Sequence, residues 1–311
     1  MMKLVTAFAP ATVANVSCGF DILGFAIDEL GDEVTVKLVD TPGVKVVEIQ
    51  GDGGKLPFDA DKNTCSVAVQ AMLNSLGVNL GIELSLFKGL PLGSGMGSSA
   101  ASAAAALVAA NEVLGNPFEK MDLVPFAMEA ERIACGTAHA DNVAPSILGG
   151  FVLIKDYDPL DVIKLPVPDG LYCTLLHPHL ELKTMDSRSV LRQQISLKES
   201  TVQSGNIAGF IAGLFRNDFQ LISRSLKDVI AEPTRALLIP GFYELRNVVR
   251  EIGALGSGIS GSGPTIFILS EGKEIALKVG KESKKVFEKI GLEVDVYVSK
   301  VNDKGAYVQS H

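Results

Sequence analysis

Pro91-Leu-Gly-Ser-Gly-Met-Gly-Ser-Ser-Ala-Ala101 is the stretch on which the fold turns. It follows an alternating apolar run (Ile82, Leu84, Leu86) that reads as a half-buried strand. Behind it lies a charge-free, alanine-rich segment that reads as a helix from about Ser98 to Leu114, stopped by Gly115. A glycine loop between strand and helix presents unpaired N–H groups and the positive end of the helix dipole, a place for an anion. Successive loop amides can wrap a polyphosphate, and glycine allows the close approach. Ser98 and Ser99 add hydroxyl oxygens where a cation bridging phosphates would want them. The bland alternative is a tight turn into a buried helix.

Other phosphate and nucleophile loops are excluded. Gly54-Lys55, Gly272-Lys273 and Gly280-Lys281 lack the Ser or Thr of a P-loop, and no G-x-S-x-G, H-R-D or D-F-G occurs. Gly256-Ser-Gly-Ile-Ser-Gly261 matches G-x-G-x-x-G, but a helix (about Tyr243 to Leu255) precedes it and a strand (Thr265–Leu269) follows. That order is the reverse of a dinucleotide fingerprint, so the loop predicts close backbone approach to a ligand and no more.

Further out, 311 residues with 47% hydrophobic and 21% charged side chains can bury a large core, with two domains as the prior. A net charge of −8 without a basic stretch argues against nucleic acid as a partner. Four cysteines without paired spacing read as reduced thiols, and four histidines without H-x-x-x-H offer no zinc site. His177 and His179 read as a surface pair at a strand end. Gly89 to Asn111 carries no charge, yet its glycines, alanines and serines suit a buried helix better than a membrane span. The N-terminus reads as a first strand, not a signal peptide, which points to the cytoplasm.

The remaining pattern is α+β. Val34, Val36 and Leu38 alternate as a strand, and Asn63 to Leu76 reads as a helix stopped by Gly77. Another helix is expected from Pro117 to Ala134. Short strands follow at 151–154, 162–167 and 171–176, helices dominate 186–255, and the chain ends strand, helix (274–290), strand (293–298). The Pro- and Asp-rich stretch 156–169 suggests a boundary, giving an N-terminal domain over 1–160 and a C-terminal one over 161–311.

Three motifs in order, Ala9-Pro-Ala-Thr-Val-Ala-Asn-Val-Ser-Cys-Gly-Phe-Asp21, Pro91–Ala101 and Gly256-Ser-Gly-Ile-Ser-Gly-Ser-Gly-Pro-Thr265, make the chain resemble the GHMP kinases. Gly136-Thr-Ala-His-Ala-Asp-Asn-Val-Ala-Pro145, Thr184…Ser187-Arg188 and Glu232-Pro-Thr-Arg235 resemble the homoserine kinase subfamily in particular. The resemblance implies a ribosomal protein S5 domain 2-like N-terminal domain, a ferredoxin-like C-terminal domain and ATP between them. It implies phosphorylation of L-homoserine with ATP and Mg²⁺ on the way to threonine, with a homodimer as a possible assembly.

Under that resemblance the whole Pro91–Ala101 loop (Pro91, Leu92, Gly93, Ser94, Gly95, Met96, Gly97, Ser98, Ser99, Ala100, Ala101) binds ATP, and Ser99 with Glu131 ligates the metal. Arg188 and Arg235 would hold the substrate carboxylate, and Asn15 and Asp21 its amino group and hydroxyl. His139, Thr184 and Gly261 would complete the substrate site. Taken alone, each has a plainer reading: a surface arginine, an Asx-turn pair, a satisfied buried histidine, a solvated helix glutamate. Thr12 stands where mevalonate and galactokinase relatives carry the lysine of an Asp/Lys dyad. Asp21, Asp141 and Asn142 are therefore expected to orient the hydroxyl without a dedicated base, phosphoryl transfer resting mainly on positioning.

Overall fold

The computed structural model describes residues 4–182 and 184–311, without the side chains of Cys135, Thr184 and Met185. Two sheets form the frame. In the first, the long antiparallel strands β1 (Leu4–Ala14) and β2 (Leu23–Val39) lie side by side, followed by β4 (Gly81–Phe87) and β3 (Gly43–Gln50). β3 and β4 run parallel, with α1 (Thr64–Leu76) between them in sequence. The alternation behaves as read: Val34, Val36, Ile82 and Leu84 are buried against the helices. Asn63 caps α1 by accepting the Cys65 N–H, and Gly77 ends it in the left-handed conformation.

Helix α2 (Ser98–Val113) runs through the core, and of its sixteen residues only Ser99 and Glu112 are not buried. A helix apolar all round must be enclosed, and its alanines let α1 and α3 approach it closely. The stretch without charge is thus core, and among the described residues no helix is long and apolar enough to cross a membrane. The helix expected from Pro117 begins later, with a 3₁₀ turn at Lys120–Leu123 and then α3 (Val124–Cys135). Pro125 explains the start: lacking an N–H, it fits only the first turn.

After α4 (Val143–Leu148), β5 (Phe151–Tyr157) pairs with β2, and β6 (Leu160–Leu165) pairs with β5. A cut at 160/161 therefore falls inside a hairpin whose register sets Phe151 opposite Leu165. The chain changes sheets at Pro166–Gly170, and β11 (Tyr307–Ser310) returns to pair with β1. The second sheet is antiparallel in the order β10 (Val294–Lys300), β7 (Leu171–Pro178), β9 (Ile266–Glu271), β8 (Gly256–Ile259). The helices Phe242–Ile252 and Lys273–Lys289 bury Phe242 and Phe287 against its Leu176, Ile266 and Ile268. Phe25 of the first sheet meets Phe267 of the second at 6.0 Å between ring centroids, which ties the two together.

Two expectations need correcting. Gly256–Ile259 is a strand, so the second glycine loop closes a β-hairpin instead of following a helix directly. Gly258 has room for this only without a side chain, since a Cβ would lie 2.2 Å from Ser17 Oγ. His177 is buried, its Nδ1 3.2 Å from Thr265 Oγ1, and only His179 is exposed, beside Asp295.

A buried ion pair fixes the entrance to the glycine loop. Lys88, just after β4, pairs with Asp32 of β2, both side chains almost wholly enclosed. Lys88 also donates to Ser98 O (2.8 Å) and Ser102 Oγ (2.9 Å), while Asp32 Oδ1 accepts the N–H groups of Gly89 (3.0 Å) and Leu90 (3.1 Å). Lys88→Met would strand a buried carboxylate, and about 3–5 kcal/mol of stability should be lost in urea titration. An unchanged midpoint would contradict this account of the pair.

Candidate active site

A cleft of about 400 Å³ opens where the glycine loop, the turn after β1 and the tip of the β8–β9 hairpin meet. Gly93, Gly95 and Gly97 all have positive φ (64°, 80° and 66°). The space around two of them is closed as well: a Cβ on Gly95 would sit 2.6 Å from Ser260 O, and one on Gly97 2.0 Å from Thr12 Oγ1. Three successive loop carbonyls are taken by protein donors. Thr265 N–H reaches Ser94 O (3.2 Å), Ser260 Oγ reaches Gly95 O (2.6 Å) and Thr12 N–H reaches Met96 O (3.0 Å). With its carbonyls tied back, such a loop meets an anion through amides and the start of α2.

Of the expected loop residues, Leu92 to Gly95 and Gly97 to Ser99 line the cleft. Pro91, Met96, Ala100 and Ala101 do not, and the last three are fully buried, shaping the loop from behind. Ser99 Oγ donates to Glu131 Oε1 at 2.5 Å, and both residues face the cleft. A hydroxyl and a carboxylate are the hard oxygen donors that Mg²⁺ takes alongside phosphates and water. Among the described residues no group of three or more His, Cys, Asp or Glu could hold a metal alone, so phosphate oxygens would have to complete such a site.

The turn after β1 is strained. Asn15, Val16, Ser17 and Asp21, none of them glycine, have φ of 70°, 44°, 55° and 59°. Asn15 holds it in shape: its Oδ1 accepts the Asp21 N–H (3.0 Å) and its Nδ2 donates to Gly261 O (2.8 Å). The Asx-type turn and the cleft-lining role coexist, because the turn is what aims Asp21 inward. Asp21 accepts both terminal nitrogens of Arg188, at 3.2 and 3.1 Å. Arg235 is buried and donates Nε to Ser187 O and Nη1 to Gly261 O, each at 3.0 Å. Both guanidiniums lie over the Phe20 ring, at 5.7 and 5.1 Å from its centroid. Burial, and then the charge of Arg188, lowers the pKa of Arg235.

His139, Asp141 and Asn142 arrive together on the segment before α4. Burial lowers the His139 pKa, its Nδ1 lies 3.9 Å from Asp21, beyond hydrogen-bond reach, and its buried Nε2 has no hydrogen-bond partner among the described residues. Asn142 Oδ1 accepts Thr12 Oγ1 at 2.8 Å, so Thr12 anchors this segment to β1. The Thr184 side chain lies outside the described residues. Lys88 and Tyr157 carry hydrogen bonds that shape the cleft although no sequence pattern marks them, and Ser260 does so from within the third motif without a role assigned to it there; their partners Asp32, Asp21 and Gly95 lie 56, 136 and 165 positions away.

Burial, then the charges of Asp21 and Glu131, pushes the Asp141 carboxyl up to about 8. A carboxyl whose pKa rises on folding favours the fold below its unfolded value, and the gain is lost as pH climbs through the folded one. Unfolding free energy should therefore fall between about pH 4 and pH 8, and Asp141→Asn should flatten that slope in urea titrations at several pH values. Equal slopes in the two proteins would show that Asp141 ionises normally.

Residues 63–150 match the family model of the GHMP kinases N terminal domain, and 210–306 that of the GHMP kinases C terminal. A homoserine kinase of Chlorobium phaeobacteroides is 54% identical over 99% of this chain and 100% of its own length. One from Chloroherpeton thalassium is 51% identical with the same coverage. The crystal structure of homoserine kinase from Cytophaga hutchinsonii superimposes with a TM-score of 0.96 at 55% identity, covering 99% of this chain and 98% of that one. The galactokinase of Lactococcus lactis, at 15% identity and a TM-score of 0.70, shares the fold. The chain belongs to the GHMP kinase family, on its homoserine kinase branch.

Proposed function

We propose that the protein phosphorylates the side-chain hydroxyl of L-homoserine with ATP, giving ADP and O-phospho-L-homoserine, a step of threonine biosynthesis. The observation that carries this reading is the pairing of Asp21 with Arg188 beside the phosphate loop, with Arg235 next to it. A carboxylate and an ammonium on one small molecule can replace each half of that pair. The substrate carboxylate takes Arg188 and Arg235, its ammonium takes Asp21, and the hydroxyl is left facing the phosphates. A ligand with one charge alone would leave a partner unpaired at a half-buried site.

The turned-in loop 92–99 would hold the ATP phosphates, and Ser99 with Glu131 would hold a Mg²⁺ ion. Such an ion supplies charge neutralisation on the transferring group. No strong base stands at the hydroxyl: Asp141 keeps its proton below about pH 8, and Thr12 offers no charge. Asp21, His139, Asp141 and Asn142 orient the hydroxyl; its oxygen forms the new O–P bond as the bond to the ADP oxygen breaks, and its proton passes to an oxygen of the transferred phosphoryl group. Asp141→Asn should keep kcat at saturating homoserine within about tenfold of wild type, whereas a loss of ~10²–10⁴-fold would make Asp141 the base.

A coupled ADP-release assay with Mg-ATP across L-homoserine, mevalonate, galactose and L-threonine tests the assignment. Turnover of homoserine in clear preference to the rest is expected. Preference for another alcohol would keep the fold and overturn the roles given to Arg188 and Arg235.

A further inference from the structure

We infer that Tyr157 is a positioning residue for the amino-acid half of the site, the strut that holds the Asp21 turn and the His139–Asn142 segment at a fixed separation. The inference rests on the substrate reading above. Tyr157 stands at the end of β5, outside every motif described so far. Its hydroxyl donates to the main-chain carbonyl of Asp21 at 2.7 Å and accepts the N–H of Ala140 at 3.3 Å. Its ring meets the His139 ring edge-on, with centroids 6.3 Å apart and planes at 90°. One phenol thus touches both segments that carry Asp21, His139, Asp141 and Asn142.

The strut is itself braced. Asp156 Oδ1 accepts the N–H groups of Tyr157 (2.8 Å) and Asp158 (3.1 Å), fixing the turn from which the ring projects. A brace is needed because Asp21 sits in a left-handed conformation and is pulled across the cleft by Arg188. When a zwitterion takes over Arg188, that pull ends, and only main-chain anchors keep the Asp21 carboxylate aimed at the ammonium. Burial raises the Tyr157 pKa, so the hydroxyl remains a donor throughout the working pH range. Nothing in this geometry touches the phosphate loop, so the effect belongs to one substrate only.

Tyr157→Phe removes one oxygen and leaves the ring in place. With homoserine varied at saturating ATP, kcat/KM should fall about tenfold, the scale of one or two lost hydrogen bonds, while KM for ATP changes less than about twofold. In an Asp21→Asn background, where the carboxylate no longer needs aiming, the same change should cost less than about twofold. A fall shared equally by both substrates, full additivity with Asp21→Asn, or a Tyr157→Phe protein that no longer folds would each overturn the proposal and leave Tyr157 a structural residue. Wild-type protein without homoserine turnover would sink the substrate reading instead, and a normal Tyr157→Phe on an active wild type would sink only this one.

Discussion

Three backbone turns from distant parts of the chain meet within hydrogen-bond reach, and every other feature of the cleft hangs from that meeting. Gly261 N–H binds Ala14 O, Ser260 Oγ and Thr265 N–H bind the glycine loop, and Thr12 N–H binds it from the other side. Such contacts demand that no Cβ intervene, which is why Gly95, Gly97 and Gly258 sit where a methyl group would overlap a neighbour. Glycine here is a condition of contact between two sheets, and only secondarily of contact with a ligand.

This arrangement explains how an acidic protein binds an anionic nucleotide. The cleft does not rely on a basic surface; it uses amides, one helix start and a few hydroxyls, with Lys88 committed to Asp32 beneath the loop. Under the proposed function, the two arginines that face the cleft are kept for a second, smaller anion. Arg188 is held by Asp21 and Arg235 by main-chain carbonyls, so neither is an unpaired buried cation in the protein alone. On that reading the site is organised in advance, with protein groups standing where the substrate's charges would go.

The local signals in the sequence were readable wherever the physics was local. The alternation in β2 and β4, the Asn63 cap with its Gly77 stop, and the strand-loop-helix order around 91–101 all follow from near neighbours. The late start of α3 is not legible because Pro117 and Pro125 carry the same helix-opening signal, and only the fold selects Pro125. The strand at Gly256–Ile259 was hidden because its three nonlocal constraints, β9, Ser17 and Leu226, leave no periodic mark on four residues. His177 likewise became a buried residue through Thr265, a partner 88 positions away.

Within the site, the family resemblance and not the residue types points to a zwitterion, and which groups pair cannot be read from spacing. Asp21 and Arg188 lie 167 positions apart, and only the fold sets them face to face. The exchange of that pair for a ligand's own two charges is the central claim. Calorimetric titration of the ATP-analogue-loaded protein with L-homoserine, γ-hydroxybutyrate and homoserine amide tests it most directly. The account predicts that the zwitterion binds at least about 10-fold more tightly than either singly charged ligand, the scale of one stranded charge. Equal affinity for all three would contradict it.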